Sequence, residues 1–279
     1  MYDSKKVSVI VPNYNYARYV GKAIESVLLQ TYANLEVIVV NNGSTDNSLE
    51  ILQRFEGKIK LIDQENLGQS GARNSGLLNS IGGLIAFLDA DDYWESTKLE
   101  KQIKLVSDDV QLVYCGISTF YDTSVANLEE TLPIYKGDCS SFFLDYPGAS
   151  VVLSGESTAI FTRSLLQKVG AFDLDLNSSA GWDFFRRASV HTSFDFVPEA
   201  LTYRRSHSAN MSNSEDKNIP DIRRAYRKLF RDKFFTVSRS RIFRTRVILE
   251  WSFIKTYLRK GKIFSALAVA TGYYIFSNY

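Results

Sequence analysis

The sequence predicts an α/β protein with a Rossmann-like, mainly parallel sheet flanked by helices, followed by a basic helical tail. Three observations carry this. Short β-branched runs alternate with helical patterns through the first half of the chain. Polar clusters follow three of those runs directly, where parallel α/β sheets bind ligands. Towards the C-terminus a helical stretch turns strongly basic.

Each element has its own signal. Val7–Val11 reads as a buried strand, ended by Pro12, Asn13 and Asn15. Val20, Ala23, Ile24, Val27 and Leu28 then recur at helical spacing. Glu36–Val40 is the second strand, with a turn at Asn42-Gly43-Ser44. Ser48–Phe55 reads as a helix, Lys58–Ile62 as the third strand and Gly71–Ile81 as the next helix. Leu84–Leu88 is a fourth strand that stops at Asp89. This alternation implies βαβ units. A helix over Thr97–Val106 and a strand over Val110–Cys115 follow. Residues 116–155 are less periodic, with turn signals at Tyr135–Asp138 and Pro147-Gly148. Arg163–Val169 is a short helix that Gly170 caps. Trp182–Val190 is another helix, and Phe194–Phe196 and Ala200–Arg204 are two short strands.

Composition excludes several classes. With 279 residues, 45% hydrophobic and 23% charged, the chain is neither disordered, collagen-like nor a disulfide-rich miniprotein. Cys115 and Cys139 are expected to be small buried apolar residues. The first apolar run is broken too early for a signal peptide, so a reducing, cytoplasmic setting is the default. No run of about 20 apolar residues predicts a membrane span. The net charge of +2 hides a division: Arg223–Lys262 holds 14 Lys and Arg against two acids, or +12, which leaves −10 elsewhere.

Asp89-Ala90-Asp91-Asp92 crowds three carboxylates at a strand end, and their repulsion costs stability. A divalent cation relieves that cost. Oxygen ligands suit Mn²⁺ or Mg²⁺, shared with substrate phosphates. The alternative is a charge cluster leading the next helix.

The chain also carries, in order, Val9–Asn15, Ala23–Tyr32, Glu36–Asp46, Asn66–Gly76 and Phe87–Asp92. Together these resemble the family 2 inverting glycosyltransferases of GT-A fold. Weaker resemblance continues through Ala159–Asp173, Gly181–Arg187 and Tyr203–Ser212. The resemblance implies a GT-A domain over residues 1–215 and a tail over 216–279. It implies inverting, metal-dependent transfer of a sugar from a nucleotide sugar, UDP-sugar favoured, to a hydroxyl of a glycan or lipid-linked acceptor in surface polysaccharide synthesis. A weakly catalytic nucleotide-sugar-binding or scaffold protein of the same fold is the alternative. A dinucleotide dehydrogenase is not expected, because no Gly-x-Gly-x-x-Gly follows the first strand.

The resemblance also implies roles for residues. Pro12, Tyr14 and Asn15 shape a nucleotide pocket, with Tyr14 against the base. Asn41 and Asn42 stand where the family usually has two aspartates, the second of which accepts a hydrogen bond from the base. An amide still accepts through its carbonyl oxygen but loses the charge assistance, about 1 kcal/mol. Arg73, Asp89 and Ala90 lie with the nucleotide, and Arg73 also suits an ion pair with Asp89 or Asp91. Asp91 is the expected metal ligand. His207, in Arg204–Ser212, serves the metal or a phosphate, or is a solvated loop residue. The family's catalytic aspartate falls on Gly181, which has no side chain. Asp183 is then the nearest base, if residue 183 precedes the helix, since positions two apart on a helix face about 200° apart. Otherwise it is a helix charge. The basic tail reads as a helical bundle packed on the domain or as an attachment to the anionic inner face of the cytoplasmic membrane. Nucleic acid is not expected, since no recognition motif accompanies the charge.

Overall fold

The computed structural model describes residues 3–121, 124–146, 149–153, 155–207, 210, 215–235 and 237–276. The strands are β1 (Asp3–Asn13), β2 (Leu35–Asn42), β3 (Lys60–Gln64), β4 (Gly82–Phe87), β5 (Tyr93–Trp94), β6 (Val110–Tyr121), β7 (Ser124–Thr131), β8 (Ile160–Thr162) and β9 (Ser193–Ser206). They form one sheet in the order β3-β2-β1-β4-β8-β6-β9-β5, with β7 on β6. β3, β2, β1 and β4 are mutually parallel, as the sequence predicts. β8 runs antiparallel between β4 and β6, and β9 lies parallel to β6.

The helices of the first part are α1 (Ala17–Leu28), α2 (Ser48–Gln53), α3 (Gly68–Leu78), α4 (Lys98–Ile103), α5 (Phe142–Asp145), α6 (Arg163–Val169) and α7 (Ala180–Ala188). Strand alternation divides the core into two layers. Val9, Val11 and Val39 pack with Ile24 of α1, while Ile10, Ile38 and Phe87 pack with Ala72 of α3 and Phe184 of α7. Cys115 and Cys139 are buried as expected. α6 starts where Thr162 Oγ1 accepts from the Leu165 amide at 3.1 Å, and stops at Gly170.

One expectation changes, and three strands are new. The two short strands after residue 192 are one long β9, whose pairing with β6 shifts register around Gly116. β5, β7 and β8 were not legible. β5 and β8 span only two and three residues, too short for any period to show. The Pro147-Gly148 turn lies outside the described residues.

The basic segment forms α8 (Glu215–Leu229), α9 (Arg239–Arg259) and α10 (Ile263–Phe276). These helices are packed on the body. Tyr226 lies 4.6 Å from the Trp182 ring and its hydroxyl donates to the Phe143 carbonyl. Asp221 accepts from the amides of Asn177 and Ser179, ahead of α7. Among the described residues, no helix is long and apolar enough to cross a membrane.

The structure corrects the role expected of Asp183. α7 begins at Ala180, so residue 183 is already helical. Its side chain is only 2% exposed, and both oxygens are occupied. Oδ1 accepts from Arg186 Nη2 at 2.8 Å and Oδ2 from Arg187 Nε at 2.8 Å. Arg187 in turn holds the Val169 and Ala171 carbonyls, so Asp183 ties α7 to the end of α6. A carboxylate so enclosed is a structural ion pair and has no free oxygen for a proton.

Two stability predictions follow from this packing. Asp183→Asn takes a charge partner from two guanidinium groups, of which the buried Arg186 keeps Asp232. It should cost about 1–3 kcal/mol, read as a fall in Tm, with ligand binding by the folded fraction intact. At Gly76 an added Cβ would lie 2.3 Å from Ile10 Cγ2, because α3 packs directly on β1. Gly76→Ala should therefore cost about 1–3 kcal/mol by overpacking, measured by denaturant unfolding.

Candidate active site at the carboxyl edge of the sheet

The carboxyl ends of β1, β2 and β3 stand in register, with Asn13 opposite Asn41 and Asn41 opposite Asp63. Their side chains form a row. Asn13 Nδ2 donates to Asn41 Oδ1 at 3.3 Å, and Asn41 Nδ2 donates to Asp63 Oδ1 at 2.8 Å. Asn13 Oδ1 is buried without a partner. Sequence reading missed both Asn13 and Asp63. The signal available was that each lies at the carboxyl end of a strand adjacent to β2.

Asn42 points to the other face and is fully used. Its Oδ1 accepts from Gln64 Nε2 at 2.9 Å and the Leu67 amide at 3.0 Å. Its Nδ2 donates to Asn66 Oδ1 at 3.1 Å and the Gly68 carbonyl at 3.2 Å. These four bonds fix the turn that starts α3. They correct the expectation that Asn42 reads a base, because its acceptor oxygen is already filled.

The loop after β1 is laced to the loop after β2. Asn15 adopts φ 58°, and its Oδ1 accepts from the Thr45 amide at 2.7 Å. Ser44 Oγ accepts from the Asn15 amide at 3.0 Å, and Asp46 Oδ2 from the Ala17 amide at 2.9 Å. Pro12 is half-buried below this loop, and Tyr14 is 46% exposed above it. Asn15 thus braces the loop after β1 against the loop after β2, and Tyr14 leaves an aromatic face exposed above it.

Asp89, Ala90, Asp91 and Asp92 follow β4 directly. Asp89 keeps 29% of its side chain exposed, whereas Ala90, Asp91 and Asp92 are buried. Burial and the Asp89 charge push the Asp91 carboxyl up. Burial, then Asp91 and Asp89, push Asp92 well up. The end of β9 closes on this cluster. Arg205 donates its amide to Asp92 Oδ1 and its Nε to the Asp91 carbonyl, both at 3.1 Å. His207 Nε2 and Asn210 Nδ2 each lie 3.1 Å from Asp91 Oδ2. The His207 ring stacks on Tyr19 at 5.4 Å and meets Tyr16 edge-on at 5.8 Å. Sequence motif and structure therefore bring Asp91 and His207 together. Ser208, Ala209, Met211 and Ser212 of the same motif lie outside the described residues.

Arg73 of α3 is 2% exposed and reaches two carboxylates. Its Nη2 is 3.3 Å from Asp89 Oδ1, and its Nη1 is 2.8 Å from Glu156 Oε1. The second contact is an ion pair without hydrogen-bond alignment, and Arg73 Nε is also buried unpaired. Glu156 sits in the 3-10 turn Gly155–Thr158. Burial pushes its carboxyl up, opposed by Arg73. The expected ion pair of Arg73 is thus with Asp89 and Glu156, and Glu156 was not anticipated.

This donor set fits a hard divalent ion. Among the described residues, no three His, Cys, Asp or Glu side chains converge as a metal cage. Asp91 and His207 offer two ligands, and the crowding that raises Asp91 and Asp92 is what a cation would relieve. Such ions take their remaining ligands from phosphates and water.

Comparison with known proteins agrees with this geometry. Residues 8–169 match the model of glycosyl transferase family 2. An uncharacterized glycosyltransferase of Nostoc sp. is 34% identical over 218 residues, 74% of this chain and 66% of that one. The chain thus spans just under two thirds of that relative. The Escherichia coli UDP-Glc:alpha-D-GlcNAc-diphosphoundecaprenol beta-1,3-glucosyltransferase WfgD is 38% identical over 126 residues, 44% of this chain and 50% of that one. Among solved structures, S. aureus TarS 1-349 in complex with UDP-GlcNAc superposes with TM-score 0.65 at 16% identity, covering 96% of this chain and 91% of that one. That likeness shows the fold. With the family match over more than half its length, the chain belongs to glycosyl transferase family 2.

Proposed function

We propose that this chain transfers a sugar, with inversion, from a nucleoside-diphosphate donor to a hydroxyl of a glycan or lipid-linked acceptor in surface polysaccharide synthesis. One observation carries the reading: Asp89, Asp91, His207 and Arg73 converge beside the Asn13–Asn41–Asp63 row at one sheet edge. The row and Tyr14 suit a nucleoside, and the acidic cluster suits its diphosphate through a cation. A UDP-sugar is the favoured donor, in keeping with the UDP-Glc of WfgD and the UDP-GlcNAc complex of TarS. The name of WfgD also supports a diphospholipid acceptor.

The residues divide the work. Asp91 and His207 would hold Mn²⁺ or Mg²⁺, which when bound would supply Lewis-acid neutralisation of the leaving diphosphate. Arg73 lies between two carboxylates and anchors Asp89. The sugar carbon exchanges its bond to the diphosphate oxygen for one to the acceptor oxygen on the opposite face. A base must take the acceptor's proton. Gly181 has no side chain and Asp183 is locked, and these two facts favour the second reading, a nucleotide-sugar binder with weak turnover.

α9 and α10 support a membrane surface as partner. Phe243, Val247, Trp251 and Leu258 are exposed on the side of α9 opposite buried Thr245, Leu249, Phe253 and Tyr257. Exposed Arg244, Lys255 and Arg259 flank that row, and Phe264 of α10 is 89% exposed. Aromatic residues among basic ones suit an anionic headgroup layer.

Release of UDP from UDP-glucose in the presence of a GlcNAc-diphospholipid and Mn²⁺ separates transferase from binder. Turnover above the protein-free rate is expected, and its absence with UDP bound favours the binder. Asp91→Asn should abolish the extra thermal stabilisation that Mn²⁺ gives to the UDP complex, a readout independent of turnover. In vesicle sedimentation, Trp251→Ser with Phe264→Ser should weaken binding to phosphatidylglycerol vesicles at least tenfold. Equal binding by wild type and variant rejects the membrane surface.

A further inference from the structure

We infer that Glu156 is the general base of the transfer, delivered from the 3-10 turn into the space that Gly181 leaves open. The inference rests on the transferase reading above. The decisive contact is between α7 and that turn. A Cβ built on Gly181 would lie 2.4 Å from Glu156 Oε1, 2.6 Å from its Cδ and 2.8 Å from its Oε2. The carboxylate therefore fills the volume in which a side chain at position 181 would begin. Residue 181 is glycine because the acid there comes from another element.

The other nearby carboxylates are committed. Asp91 faces His207 and Asn210, Asp92 is buried and accepts the Arg205 amide, and Asp89 pairs with Arg73. Asp183 has both oxygens on guanidinium groups. Glu156 also pairs with Arg73, its Oε1 at 2.8 Å from Nη1, but its carboxylate is the one that lies against Gly181, and that Oε1 accepts no hydrogen bond. It is bound to the nucleotide side of the site twice over. Arg73 joins it to Asp89, and the neighbouring Ser157 Oγ accepts the Asp89 amide at 3.1 Å.

The step balances simply. The acceptor oxygen forms its bond to the sugar carbon as the bond from that carbon to the diphosphate oxygen breaks. The diphosphate leaves with the electron pair, and the acceptor's hydroxyl proton passes to the Glu156 carboxylate. The proton then departs to water, and the Glu156 carboxylate is again paired with the Arg73 guanidinium.

The test compares wild type, Glu156→Gln and the double variant Glu156→Gly/Gly181→Asp. The readouts are UDP release from UDP-glucose, with the GlcNAc-diphospholipid and with water alone as acceptor, and the thermal shift given by UDP with Mn²⁺. Glu156→Gln keeps the shape of the side chain and should lower kcat about 10²–10⁴-fold, with donor KM and the UDP shift unchanged. The double variant returns a carboxylate to the same space from α7 and should recover at least tenfold over Glu156→Gln. Wild-type kcat in Glu156→Gln overturns the assignment. So does a UDP shift lost together with turnover, or a folded double variant without recovery, since either outcome leaves Glu156 only as the partner that holds Arg73. A wild-type protein that binds UDP yet releases none from UDP-glucose fails the transferase reading instead, and is told apart by that control.

Discussion

The buried guanidinium of Arg73 is the constraint on which the site is built. It lies between Asp89 and Glu156 with 2% of its surface exposed, so its charge has no recourse to water. An unpaired charge there would cost several kcal/mol, and the two carboxylates are what make the position tenable. The pairing joins α3, the end of β4 and the 3-10 turn. It needs α3 to approach the sheet closely, which Gly76 permits by resting against Ile10. The geometry of the acidic cluster is thereby set by packing some distance beneath it.

Charge at this edge is distributed by mutual exclusion. Asn41 donates to Asp63 at 2.8 Å, a contact that two carboxylates would turn into repulsion. An amide at position 41 and an acid at position 63 are thus one choice. Gly181 and Glu156 form a similar couple, where the bulk of one carboxylate forbids a second side chain. In both cases the chain departs from the pattern its family resemblance leads one to expect, and a neighbouring element carries the acid. The three carboxylates after β4 are left close together, and burial with this crowding pushes Asp91 and Asp92 up, a strain that a divalent ion would relieve.

The basic helices belong to the same body. Asp221 of α8 holds the amides ahead of α7, and Asp232 takes Arg186 Nη1 at 2.6 Å. Since Arg186 also binds Asp183, α7 is braced from both sides. What remains outward on α9 is aromatic and cationic, and α10 adds exposed Phe264. An acidic edge of the sheet and a basic outer surface thus lie on different parts of one nearly neutral chain.

Much of this was legible in the sequence. Buried parallel strands announce themselves by β-branched runs, so β1 to β4 and the helices between them could be placed to within a few residues. The Asp89–Asp92 cluster, Arg73 and His207 could be placed because each lies in a run whose order matches a known family. The short strands β5 and β8 could not, because two or three residues show no period and their pairing is wholly long-range. Nor could the fate of particular polar groups. Whether Asn42 reads a base or braces a turn depends on Gln64 and Leu67, and whether Asp183 is a base depends on where α7 begins. Glu156 sits 25 positions before Gly181 in the sequence and within contact of it in space. The sequence by itself determined the fold class, the family and the acidic edge, because those rest on local period and contiguous motif. The tertiary structure alone decided which carboxylates are free, because burial and partnership are properties of distant residues brought together.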